Sequence, residues 1–108
     1  MHEKTVLLVL SVSSSKSLEW ALEVISSKRS ENMWIVVDEK TMRILAKKSV
    51  VSSVGEKILV YSGKRPEEFS LRVVVLVKPD EVYICDERGL LEPLVKLIKA
   101  MRIKIHEC

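Results

Sequence analysis

The stretch Glu81-Val82-Tyr83-Ile84-Cys85-Asp86-Glu87-Arg88-Gly89 decides how the chain is read. Val82 to Cys85 is apolar, partly β-branched and of strand length. It runs into a thiol, two acids, a base and a glycine. An apolar-striped helix is expected next, from about Leu90 to Met101, with Leu91, Leu94, Val95, Ile98 and Met101 on one side. Pro93 fits such a helix in its first turn, where a missing N–H leaves nothing unpaired. Ile103 to His106 then reads as a short strand. The unit is β-α-β, and the densest chemistry of the chain sits at its strand-to-helix junction.

The same alternation extends outward. Lys4 to Val12 is a near-continuous apolar run, the pattern of a strand covered on both faces. A Ser-rich loop leads into a helix over about Lys16 to Lys28, where Leu18, Ala21, Leu22 and Ile25 form one stripe. Met33 to Val37 is a second strand. Asp38 after it is placed to cap a helix over 39–48, with a hairpin returning through Met42 to Ala46 as the competing reading. Ser49 to Gly55 is ambiguous. Lys57 to Tyr61 is a third strand, and a polar loop follows with room for one helical turn after Pro66. Leu71 to Val77 is the most strand-like run of all, and Lys78-Pro79-Asp80 breaks it before Val82. The expectation is one α/β domain over 1–108: a single layered unit with a mainly parallel central sheet flanked by helices, and an antiparallel element possible at 71–85.

Composition bounds the rest. At 108 residues and 47% hydrophobic the chain is long enough for one core and no more. No run reaches eighteen apolar residues, so no membrane span is expected. Met1 to Lys4 lacks signal-peptide character, and a cytoplasmic protein is the default. Net charge is +3, from 18 basic and 15 acidic residues mixed along the chain. That balance, with 5% aromatics, argues against nucleic acid as a partner. Gln is absent and Asn occurs once, while Lys, Glu, Val and Ile abound, a mix typical of thermophiles. Two cysteines make no disulfide framework, and two histidines at opposite ends offer no zinc spacing, so neither metal nor cofactor is expected. The apolar excess in so short a chain predicts a homo-oligomer, packed through Leu71 to Val77 and any unburied side of the final helix.

Three groups are candidates for chemistry. Cys85 ends a strand just before a helix N-terminus, which with Arg88 favours thiolate, while Asp86 and Glu87 oppose it. Plain packing is the reading favoured for Cys85, because free cysteine is among the most buried residue types. Ser13, Ser14 and Ser15, with Ser17 behind them, are candidates for binding an anion at the start of the first helix. Arg88 and Gly89 on the later loop complete that ligand-binding set. No glycine sits among the serines, so neither a P-loop nor a dinucleotide fingerprint is present, and ordinary capping is the alternative. Asp38, Asp86 and Glu87 all fall at carboxyl ends of strands, where acid, base or capping roles are open. Lys64-Arg65 could meet an anion or simply be solvated. His106 shows no partner in the sequence, and terminal Cys108 is expected to fray.

Two families resemble this order of features. From Val6 to Lys48, the Leu-Leu-Val-Leu strand, the Ser-rich loop, Leu-Glu-Trp-Ala-Leu-Glu-Val-Ile and Met-Trp-Ile-Val-Val-Asp resemble the DsrE-like sulfur-relay proteins. Val82-Tyr83-Ile84-Cys85 with Arg88-Gly89-Leu90 is similar to that family's strand, cysteine and Arg-Gly. The resemblance implies a persulfide on Cys85, passed to or from a protein partner, or a non-catalytic subunit. The spacing from cysteine to Arg-Gly is short, and Glu39 stands where the family has glycine. The universal stress protein family is the second resemblance, through Ser14 to Ile25 and Pro79 to Gly89. Ser11 and Ser13 stand near where its nucleotide binders keep an Asp, and the glycine-rich phosphate loop is missing. The third reading is a non-enzymatic interaction module.

Overall fold

A computed structural model describes residues 4–48 and 57–108. Five strands form one sheet: β1 (Thr5–Ser11), β2 (Asn32–Asp38), β3 (Ile58–Tyr61), β4 (Glu81–Asp86) and β5 (Lys104–Glu107). Four helices lie between them among the described residues: α1 (Ser15–Lys28), α2 (Glu39–Lys47), α3 (Pro66–Val77) and α4 (Glu92–Ala100). The strand order is β3-β2-β1-β4-β5 and every pairing is parallel.

The sheet is covered on both faces. Leu8, Leu10, Ile35 and Val37 pack with Ala21, Val24 and Ile25 of α1 and Leu45 of α2. Leu7, Val9, Val82 and Ile84 pack with Val73 and Val77 of α3 and Leu94 and Ile98 of α4. Neighbouring β1 side chains therefore enter opposite cores, and Val6 to Leu10 are all fully buried. That is why the β1 run is continuously apolar and does not alternate.

Helix, not hairpin, follows Asp38, as propensity favoured. Ser49 to Gly55 lies outside the described residues. One expectation is corrected. Leu71 to Val77 is the latter part of α3, not a strand, and no antiparallel element occurs over 71–85. Two parallel neighbours need a long crossover between them, and β3 and β4 sit on opposite sides of β1 and β2. Pro66 at the helix start and Glu67 and Glu68 in the first turn suit a helix N-terminus. Phe69, Val73 and Val77, four apart, then face the sheet. Tertiary burial on that side outweighs the β-propensity of three consecutive valines.

Candidate functional site

A parallel sheet whose order reverses about β1 has its switch point at the carboxyl ends of β1 and β4, where ligands bind in open α/β sheets. The Ser-rich loop leaves β1 there, and Glu87 to Leu91 leave β4. The two loops expected to share an edge do share it. Both Ser13 N and Ser14 N donate to Glu87 Oε1, at 2.9 and 3.2 Å. Ser14 Oγ lies 3.1 Å from Glu87 Oε2 and accepts from Ser17 N at 3.2 Å, so it also caps α1. The position foreseen for an anion is thus filled by the chain's own carboxylate. The backbone N–H groups of Ser13 and Ser14 hold the Glu87 carboxyl down to about 2. Ser15 opens α1 on its exposed side.

Arg88 points the other way along the edge. Its Nη2 pairs with Asp38 Oδ2 at 3.1 Å and donates to Thr41 Oγ1 at 3.0 Å, while Nε lies 3.4 Å from Ser11 Oγ. Thr41 also donates to Asp38 Oδ1 and accepts from Val12 N at 3.1 Å. Asp38 is 3% exposed and Thr41 fully buried, so the cluster is a largely buried polar network among β1, β2, α2 and the β4 loop, with Arg88 part-exposed. Asp38 holds the N-cap position of α2, yet its side chain makes no cap hydrogen bond, being turned to Thr41 and Arg88. Sequence reasoning missed Thr41. Its only signal was the Asp-x-x-Thr spacing, one turn of helix. Asp86 accepts from Leu91 N at 3.2 Å, and burial raises its carboxyl above the ordinary value. Gly89 adopts φ +70° in the turn between them, a conformation that favours glycine.

Cys85, the catalytic candidate, is not a free thiol in this structure. It is 1% exposed and bonded to Cys108, with Cα atoms 5.2 Å apart. The register explains the pairing. Ile84 lies opposite Glu107, so Cys85 and Cys108 follow as neighbours on one face of the sheet. Cys108 N also donates to Ile84 O at 3.1 Å, so the terminal residue is tied down where fraying was expected. His106 has partners too. Its Nε2 lies 2.8 Å from Glu81 Oε2 and its ring stacks on Tyr83, 4.4 Å between centroids. These sit at the opposite end of β4, away from the candidate site. Arg65 pairs with Glu68 at 3.4 Å on the exposed start of α3.

No group of three or more acidic, His or Cys side chains suited to a metal occurs among the described residues. Nor is any described helix long and apolar enough to cross a membrane. Beside the Arg88 network a cleft of about 560 Å³ opens between Asp38–Lys40, Tyr61–Gly63 and Leu90.

No protein-family model and no curated protein matches the chain. A solved structure to which it is similar is a universal stress protein in complex with cAMP. Identity is 17% and the TM-score 0.44, over 98% of this chain and 94% of that one.

Proposed function

We propose that this chain is a non-catalytic α/β interaction module. One observation carries the reading: at the switch-point edge the reactive groups are spent on each other. Glu87 fills the anion position at the start of α1, Arg88 is matched by Asp38 and Thr41, and Cys85 is joined to Cys108. A sulfur carrier would need Cys85 as an accessible thiolate. The test is thiol labelling and persulfide loading of the folded protein, with and without a reductant. The module reading expects no labelling of the oxidised protein. After reduction it expects labelling of exposed Cys108 well ahead of Cys85. Stoichiometric sulfur loading on Cys85, with the fold intact and passage to an acceptor thiol, would overturn it.

A second reading is supported by the cleft beside Tyr61 and Arg88, whose size falls in the range of small-molecule sites. Thermal-shift screening with mono- and dinucleotides tests it. A concentration-dependent rise in melting temperature that Lys40→Glu removes would support that reading, and no rise across the panel would end it.

A further inference from the structure

The outer surface of α3 leaves large apolar side chains in solvent. Leu71 is 58% exposed, Val75 61% and Leu76 52%. Val73 and Val77 face the sheet, so at 100° per residue Leu71 and Val75 point directly away from it. The same outward line carries Glu68 one turn before, and one turn after comes Lys78, the left-handed C-cap residue of α3 at φ +48°; both are exposed. The four are spaced three, four and three residues apart, which is the seam spacing of paired helices. Their order along the seam is acidic, apolar, apolar, basic.

That order selects a partner. Around a two-fold axis at the level of Val73, an antiparallel second α3 sets Leu71 against Val75 of the other copy. It sets Glu68 against Lys78 of the other copy, twice by symmetry. A parallel pair would place Glu68 against Glu68 and Lys78 against Lys78. Among the described residues Glu68 pairs with the exposed Arg65 and Arg72, at 3.4 and 3.8 Å. Such pairs hold a side chain weakly, so Glu68 can turn to a new partner.

Resting on the module reading above, we infer that the partner is a second copy of this chain, docked α3 to antiparallel α3 with Leu71 on Val75 and Glu68 on Lys78. A twelve-residue helix spans about 18 Å. Such a seam falls short of the about 800 Å² per partner of a standard stable interface, so the dimer is a weak, concentration-dependent one.

The experiment is sedimentation equilibrium up to high micromolar concentration on the full chain. Wild type should show a reversible dimer, and Leu71→Glu, an exposed change that spares the core, should be monomeric. Glu68→Lys and Lys78→Glu should each weaken association about tenfold by turning two exposed pairs repulsive. The double swap should restore it. Mixing Leu71→Cys with Val75→Cys protein under mild oxidation should give mainly the mixed cross-link. A monomer at all concentrations overturns the proposal. So does a dimer indifferent to Leu71→Glu, a double swap without rescue, or cross-links of like with like. None of these outcomes touches the labelling test of the module reading, so the two fail separately.

Discussion

Glu87 is the residue whose role most depends on what surrounds it. Its carboxylate accepts from Ser13 N and Ser14 N, and those bonds lower its pKa from 4.5 to about 2. Glu81 is also lowered to about 2: burial opposes ionisation, but hydrogen bonds from His106 and Lys4 prevail. A carboxyl depressed in the folded state adds stability that is complete above its unfolded pKa and is lost as pH falls through the folded one. The loss should therefore run from about pH 4.5 down to about 2. Asp86, raised by burial, has the opposite sign and offsets part of it. Urea midpoints measured from neutral pH down to pH 2 should fall for wild type, and Glu81→Gln or Glu87→Gln should each flatten the curve. Asp38 is a buried partner of a different kind. Asp38→Ala removes the counter-charge of Arg88 and one acceptor of Thr41, and should cost about 3 kcal/mol in chemical denaturation. A loss well under 1 kcal/mol would mean that Arg88 simply turns to solvent.

At the scale of elements, β5 is the informative one. It is a four-residue edge strand with no buried residue, paired only with β4. Besides its backbone ladder it has the His106 contacts with Glu81 and Tyr83 and the partly buried Ile105, a thin hold for so short an edge. The Cys85–Cys108 bond closes a loop of sequence separation 23 that contains α4. Removing it by reduction or by Cys108→Ser should lower stability by about 3 kcal/mol. Hydrogen exchange should locate the effect. Amides of β5 should lose protection in the reduced protein at denaturant levels where β1 remains fully protected. Equal protection of β5 in both forms would show that the strand holds without the bond. An apolar stripe at helical spacing placed α1 and α4 to within a few positions, and helix propensity after Asp38 placed α2. They misplaced α3, whose run Leu71 to Val77 has valines at three consecutive positions and apolar side chains on its outer side as well.

For the whole molecule, the consequence of two cores is a symmetry of cost. Leu7 packs toward α3 and α4, Leu8 toward α1 and α2, and both are fully buried. Leu7→Ala and Leu8→Ala should therefore each destabilise by about 3 kcal/mol. In a sheet covered on one face, one of two adjacent substitutions would be nearly silent. A strong asymmetry between these variants in denaturation would contradict the layered arrangement.

Legible from residue order alone were the layered α/β class, most of the strands, and the edge at which the Ser-rich loop and the Asp86–Gly89 loop meet. Those follow from local burial period and from the parallel alternation of strand and helix, which each segment carries within itself. Folding in three dimensions was needed to make Leu71 to Val77 helical, to bring Glu87 to the serine loop and Arg88 to Asp38 and Thr41, and to join Cys85 to Cys108. The physical reason is distance along the chain. Ser13 and Glu87, or Asp38 and Arg88, become neighbours only through the strand order β2-β1-β4. A residue type states what bond it can make, whereas the register of the sheet states with whom.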